Sequence, residues 1–311
     1  MTIHQHHPTR LTIAAVQYGL SSLQCTDDFW NGIRKYNDDA KASNAELIMF
    51  PEYITAHLLS LVPVMNHEDA CEYLDSFTEE YITFFKMESI RTNMSIVAGT
   101  HICRQSDAFV NQAYFFFPNG RVETQVKLHL TPEEQTRWPL VAGQTLNVIA
   151  SPWGLLAILT CYDIEFPELT RIAAERGVEL ILCPSYTDSA FGYYRVRHCA
   201  QARAIENQLF VALSGLVGHL HEERPQLDSG YCQAGVFTPC DIPFHADGIY
   251  SLGETNVPSV IVTTINFQEL RQNRSTGGGA VAPFFDRRPA LYDRERAQMY
   301  MKPADFILIP D

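Results

Sequence analysis

Trp153-Gly-Leu-Leu-Ala-Ile-Leu-Thr-Cys161-Tyr-Asp-Ile-Glu-Phe-Pro-Glu168 passes from a continuous apolar run to a polar, proline-marked segment at a single cysteine. A short apolar run of this kind predicts a buried strand, and the segment after it predicts a helix over 166–176. The carboxyl end of such a strand is where an open α/β sheet places its chemistry. Glu52 and Lys127 share that setting: Glu52 follows Glu46-Leu-Ile-Met-Phe-Pro51, and Lys127 follows Gly120-Arg-Val-Glu-Thr-Gln-Val126. Cys183 also ends an apolar run, Glu179-Leu-Ile-Leu-Cys183, so strand position alone does not choose between the two cysteines.

Working outward, strand-like and helix-like patterns alternate almost from end to end. Strands are predicted at 11–17, 46–50, 94–101, 112–117, 121–126, 145–150, 154–160, 179–183, 208–215, 231–237 and 258–265. Phe29, Trp30, Ile33, Tyr36 and Ala40 recur at helical spacing behind Asp27 or Asp28 as cap. Further helices are predicted over 68–92 and 194–206. Pro118-Asn-Gly120 marks a hairpin, because Asn and Gly tolerate positive φ. Interleaved strands and helices with hairpin-like pairs predict an α/β fold with mixed sheets. No linker or repeat interrupts residues 10–293, which are assigned to one domain. Residues 1–9 are expected to be a flexible terminus, and 294–311 a tail at an oligomer interface.

Of the 311 residues, 46% are hydrophobic and 19% charged, which excludes a disordered chain. A net charge of −13 argues against a general nucleic-acid binder, since phosphate contacts need a basic face. No apolar run approaches the roughly 20 residues of a membrane span, and Met1-Thr-Ile-His-Gln-His-His-Pro8 lacks the pattern of a secretory signal. The eight cysteines lie scattered in apolar segments, so reduced thiols and a cytoplasmic location are expected. No CxxC or HExxH motif is present. His4, His6 and His7 are assigned to a polar terminus, and His219 and His221 to a polar turn, so no metal site is expected. Gly277-Gly-Gly279 lacks the Lys-Ser/Thr of a P-loop and is assigned to a loop.

Glu, Lys and Cys together meet the needs of acyl transfer. A thiol is only slightly ionised at neutral pH, and a carboxylate within reach can take its proton as it attacks a carbonyl. That role falls to Glu52. The oxyanion so formed needs fixed donors. Lys127 can supply one and the backbone N–H of Tyr162 another, because amides in a first helical turn have no partner within it.

Pro51-Glu52, Lys127-Leu-His-Leu130 and Cys161-Tyr-Asp-Ile-Glu-Phe-Pro-Glu-Leu169 resemble, in order and separation, the three signature blocks of the nitrilase superfamily, the carbon–nitrogen hydrolases. Pro184-Ser185 with Arg203-Ala-Ile-Glu-Asn-Gln208, and Asp286-Arg-Arg-Pro-Ala-Leu-Tyr292, resemble two further family segments. The resemblance implies a four-layer αββα sandwich, a Glu-Lys-Cys triad of Glu52, Lys127 and Cys161, and pairing into a homodimer or larger homo-oligomer. It implies a second glutamate soon after the lysine. Glu133 and Glu134 both qualify, and spacing favours Glu134 as the group that holds Lys127.

Cys-Tyr-Asp after the strand is similar to the amidase side of the family, whereas nitrilases more often carry Cys-Trp-Glu. The implied activity is hydrolysis of a small non-peptide amide or carbamoyl compound through a thioester, without cofactor or metal. A nitrilase, a non-catalytic scaffold and an acyl transferase remain as alternatives. Glu165 stands where many amidase members have arginine, which removes a cation from the mouth of the site. Tyr194-Arg-Val-Arg-His-Cys-Ala-Gln-Ala-Arg203 is most similar to a bacterial subgroup sometimes fused to an acetyltransferase domain. Arg195 is a candidate grip for a substrate carboxylate. Tyr53, Tyr186, Phe191, Tyr193 and Tyr194 are candidate lining residues, of which Tyr53 and Tyr186 are the preferred substrate contacts.

Overall fold

The computed structural model describes residues 8–220, 224–276 and 288–294. Its elements run β1 (Arg10–Gly19), α1 (Thr26–Ala42), β2 (Leu47–Met49), α2 (His67–Asp75), α3 (Thr78–Thr92), β3 (Ser95–Gln105), β4 (Ala108–Phe116) and β5 (Val122–Val126). There follow α4 (Pro132–Arg137), β6 (Ile149–Ser151), β7 (Gly154–Ile158), α5 (Pro167–Glu175), β8 (Val178–Ser185), α6 (Ala190–Asn207) and β9 (Phe210–His219). The last are β10 (Ser229–Gly230), β11 (Gly235–Phe237), β12 (Ile249–Leu252), β13 (Ser259–Asn266) and α7 (Phe267–Thr276).

Alternation along the strands builds the layers. Leu11, Ile13 and Ala15 of β1 enter one apolar cluster together with Leu180 and Leu182 of β8 and Phe210 of β9. Their neighbours Ala14, Val16 and Tyr18 point the other way, onto Phe29 and Ile33 of α1 and Phe84 and Phe85 of α3. On the far side, Ile181 and Cys183 of β8 pack with Ala173 of α5 and Val196 and Ala200 of α6. Side chains two apart share a face, so each sheet half buries both faces and four layers result: helices, sheet, sheet, helices. Each large apolar side chain so buried contributes about 1.5–3 kcal/mol before entropy is subtracted.

The two halves are joined. One runs β5-β4-β3-β2-β1-β13 and the other β6-β7-β8-β9-β11-β12, each with parallel strands at its centre. Gln17–Gly19 at the end of β1 pairs in parallel with Gly215–Val217 of β9, so a single sheet folds over on itself. The parallel strands of both halves thereby bring their carboxyl ends together.

Several expectations change in detail. The helix predicted over 68–92 is two, α2 and α3. Ser76 Oγ donates to the Tyr73 carbonyl (2.6 Å) and Thr78 Oγ1 to Asp75 Oδ1 (3.1 Å). Such short polar side chains offer the backbone an alternative to the helix ladder, while Leu74, Tyr81 and Phe85 keep the apolar stripe intact. Asp27 and Asp28 lie within the first turn of α1 rather than at its cap, and Asp28 reaches back to the Gln24 (2.7 Å) and Cys25 (3.3 Å) N–H groups.

The strand predicted over 145–150 shrinks to Ile149–Ser151. Gln125 occupies the preceding segment instead, donating to the Thr145 carbonyl (2.9 Å) and accepting from the Asn147 N–H (2.8 Å). Only Gly235–Phe237 of the stretch 231–237 is strand. The sequence patterns missed α4, β12, α7 and a 3-10 helix at Ile54–Leu61. His219 pairs with Ser229 at the end of β9. His4, His6, His7, His221, Gly277–Gly279, Asp286 and nearly all of the 294–311 tail lie outside the described residues. Among the described residues, no helix is long and apolar enough to cross a membrane.

Candidate active site

Three chain segments deliver the central side chains from strand ends. After β2, Tyr53 takes a left-handed conformation (φ 56°) and donates its N–H to Thr100 Oγ1 (2.8 Å), leaving Glu52 buried beneath it. This path passes so close to β3 that a Cβ on Gly99 would lie 1.9 Å from the Pro51 carbonyl oxygen. After β5, the Lys127 N–H continues the ladder to the Asn111 carbonyl (2.9 Å). After β7, Cys161 opens a 3-10 turn, Cys161–Glu165, at φ 47°. A non-glycine residue held in this region is strained, and such positions concentrate at functional sites.

The side chains meet in a buried cluster. Lys127 Nζ donates to Glu52 Oε1 at 2.8 Å and to both Glu134 oxygens at 2.8 Å each. Asn111 Nδ2 donates to the same Glu52 Oε1 (3.0 Å), while the Tyr186 N–H donates to Oε2 (3.0 Å). Tyr53 Oη donates to Glu134 Oε1. The Cys161 thiol donates to the Tyr186 carbonyl (3.3 Å).

Of the two adjacent glutamates, Glu134 meets the lysine. Thr131 fixes it through a reciprocal capping box, with the Thr131 N–H on Glu134 Oε2 (2.7 Å) and the Glu134 N–H on Thr131 Oγ1 (3.2 Å). Glu133 turns to solvent and pairs with Arg137 at 3.6 Å.

Burial and charge divide the ionisable groups. Burial raises the Glu52 carboxyl above the ordinary carboxylate range; Lys127 opposes the rise and Glu134 adds to it. Burial also works against Glu134, but Lys127 and the Tyr53 and Thr131 donors outweigh it and hold that carboxyl low. Lys127 keeps its charge because its two carboxylate partners outweigh its burial. The Cys161 thiol is pushed up by burial and then by Glu52. The resting cluster therefore sets a neutral thiol beside an ammonium and two glutamates, of which Glu52 is the more readily protonated.

A pocket of about 590 Å³ opens onto Cys161, Glu52 and Lys127. Tyr53 and Tyr186 line it, and Trp138 stacks on Tyr53 with ring centroids 5.5 Å apart. Tyr162 also lines it, its N–H lying in the first turn of the 3-10 segment, where amides have no partner within the turn. Phe191, Tyr193 and Tyr194 are not lining residues: Tyr193 is buried against Tyr231, and Phe191 and Tyr194 face outward.

Arg195, on α6, reaches the mouth of the pocket and approaches Glu165 through Nε at 3.8 Å. A cation from the opposite element thus stands beside Glu165 at the mouth. The other arginines of this stretch have separate tasks: Arg197 bonds Gln233 (3.1 Å), and Arg203 bonds the Ile164 (3.0 Å) and Glu165 (2.9 Å) carbonyls. Among the described residues, no group of three or more His, Cys, Asp or Glu side chains is arranged to hold a metal ion.

Sequence patterns missed Asn111, Trp138 and the pocket wall at Arg224–Asp228. Asn111 carried a signal, being an amide in the middle of the apolar strand Phe109-Val-Asn-Gln-Ala-Tyr114. The wall carried none, since it comes from a loop distant in the chain.

The carbon-nitrogen hydrolase family model matches residues 12–262. The chain is 36% identical over 280 residues to the probable hydrolase YhcX of Bacillus subtilis, covering 90% of this chain and 54% of that protein. It is 29% identical over 210 residues to the chloroplastic omega-amidase of Arabidopsis thaliana, covering 62% of this chain and 55% of the relative. The chain thus spans about half the length of these two curated relatives. Its fold matches that of Saccharomyces cerevisiae Nit3, a member of branch 10 of the nitrilase superfamily, with a TM-score of 0.71 at 18% identity over 89% of this chain and 97% of that one. Sequence match and fold agree across almost all the described residues, and the chain belongs to the carbon-nitrogen hydrolase family.

Proposed function

We propose that this protein hydrolyses a small, non-peptide amide or carbamoyl compound through a thioester on Cys161. The observation that carries the reading is the division of labour between the two glutamates. Glu134 engages Lys127 with both oxygens, while Glu52 spends only Oε1 on Lys127 and Asn111. Glu52 Oε2, with one N–H donor from Tyr186, keeps a lone pair for a proton.

In this mechanism the Cys161 sulfur bonds to the substrate carbonyl carbon as the thiol proton passes to Glu52. The carbonyl oxygen becomes an oxyanion held by Lys127 Nζ and the Tyr162 N–H. Collapse breaks the C–N bond, and the leaving nitrogen takes the proton from Glu52 as ammonia or amine. Water then adds to the thioester carbon and gives a proton to Glu52. The second collapse expels the sulfur, which recovers its proton, and releases the acid. A base whose pKa lies above the ordinary carboxylate range suits both directions of proton transfer.

Tyr53, Trp138 and Tyr186 form an aromatic wall for the acyl chain, and Arg195 grips a substrate carboxylate. The similarity to an omega-amidase supports an amide over a nitrile as substrate. The test is ammonia release from ω-amides, N-carbamoyl amines, aliphatic amides and nitriles, comparing wild type with Cys161→Ala. Release from an amide or carbamoyl compound that Cys161→Ala abolishes is expected. Hydrolysis that survives this substitution, or consumption of nitriles alone, would refute the reading.

A further inference from the structure

The proposed lysine and cysteine stand at the ends of two strands, β5 and β7, that are not neighbours in the sheet. Their separation must nevertheless be held, since both act on one carbonyl group. Asp163, two residues beyond Cys161 in the 3-10 turn, has a fully buried carboxylate that links the two segments. Its Oδ2 accepts from the Leu128 N–H (3.3 Å) and from the Thr160 N–H (3.2 Å). Leu128 follows Lys127 and Thr160 precedes Cys161, so one oxygen ties the residue beside the cation to the residue beside the nucleophile. Oδ1 accepts from the His129 N–H (2.7 Å) and lies 3.3 Å from His129 Nδ1. The His129 ring stacks on Phe166, at the end of the same turn, with centroids 3.8 Å apart.

We propose that Asp163 is a positioning residue that sets the spacing of Lys127 and Cys161. It touches neither substrate nor the reacting atoms. The turn is held on its other side by Arg203, whose guanidinium donates to the Ile164 (3.0 Å) and Glu165 (2.9 Å) carbonyls. Between these two grips the backbone has little freedom to relax the left-handed Cys161. A carboxyl group is needed because both oxygens accept. An amide in its place presents one acceptor and one N–H, and that N–H would face a backbone donor.

The inference rests on the cysteine mechanism proposed above, and the experiment separates the two. Asp163→Asn is compared with wild type and Cys161→Ala for kcat and KM, for the rate of Cys161 alkylation by iodoacetamide across pH, and for thermal melting. The expected outcome for Asp163→Asn is a fall in kcat on the order of 10²-fold, as a displacement of about 1 Å at reacting groups produces, with KM within about twofold of wild type. The pH profile of alkylation should shift as well, because Lys127 no longer sits at its set distance from the sulfur. A folded Asp163→Asn protein with wild-type kcat and alkylation overturns the positioning role. Hydrolysis that survives Cys161→Ala overturns the mechanism instead. Should Asp163→Asn fail to fold, amide hydrogen exchange in the wild-type protein decides. The Leu128, His129 and Thr160 amides should be protected as well as those of β4 and β8, and rapid exchange at these three would refute the link.

Discussion

Asn111 and Lys127 donate to the same oxygen of Glu52, at 3.0 and 2.8 Å. The sharing leaves the second oxygen to the Tyr186 amide, and the Tyr186 carbonyl in turn accepts from the Cys161 thiol. Asn111→Leu, close in volume, removes one donor to the charged form of Glu52 while Lys127, Glu134, Tyr53 and Cys161 still surround it. The carboxyl pKa should rise further, because hydrogen bonds to a carboxylate favour its ionised form. A hydrogen bond to a charged group is worth about 1.5–3 kcal/mol, so the acidic limb of kcat/KM should move up by about one to two pH units. An unmoved limb in a folded variant would remove Asn111 from the account.

Lys127→Met leaves two carboxylates facing each other in a dry site. Breaking a buried ion pair from one side costs about 3–5 kcal/mol, so urea midpoints should fall accordingly. One of Glu52 and Glu134 should then take up a proton at neutral pH, since like charges at this range do not both ionise. Denaturation at two pH values checks both points: the loss should shrink as pH falls. A loss below about 1 kcal/mol would indicate that the cluster is far wetter than the 1% exposure of Lys127 implies.

Arg195→Ala should act on binding. Removing a cation that holds a substrate carboxylate equally in the ground and transition states raises KM and leaves kcat unchanged. Among amides that hydrolyse, those with a carboxylate should lose roughly tenfold in kcat/KM, and neutral ones should change less than twofold. Equal losses for both would assign Arg195 to holding Glu165 rather than to substrate.

Two buried histidines set an acid limit. Tyr18 Oη donates to His57 Nδ1 (2.8 Å) and His57 Nε2–H to the Ser21 carbonyl (2.7 Å), so the ring is fully engaged while neutral. Burial lowers its pKa from 6.5 to about 4, and that of His101, between Thr55 and Thr78, from 6.5 to about 3. The unfolded chain binds these protons first, so the stability they contribute is complete above pH 6.5 and declines as pH falls toward about 4. Melting temperature should drop across that window, and His57→Gln should flatten part of the slope. A flat profile between pH 4 and 6.5 would contradict the neutral assignments.

The strand ends carrying Glu52 and Cys161 were legible because each follows an apolar run with a distinct stop, that of Lys127 because it closes the return strand after the Pro118-Asn-Gly120 turn, and the layers were legible from alternation. What escaped depended on contacts distant in sequence. The 145–150 segment has a strand's composition, yet the Gln125 side chain takes its polar groups before a ladder can form. Residues 68–92 keep one helical stripe although Ser76 and Thr78 divide the backbone. Glu165 gave no sign that Arg195 stands beside it, since nothing local connects it with α6.

The seam at β1 has a consequence for synthesis. Its first eight residues pair with β13, Arg10 lying opposite Asn266. β1 therefore keeps one edge unfilled during synthesis until β13, the last described strand, has emerged. Contacts of such long sequence separation slow folding, and an open apolar edge invites pairing with another nascent chain. Demand for chaperones during translation should accordingly be set by the arrival of residues 259–266, long after the cysteine itself has been made.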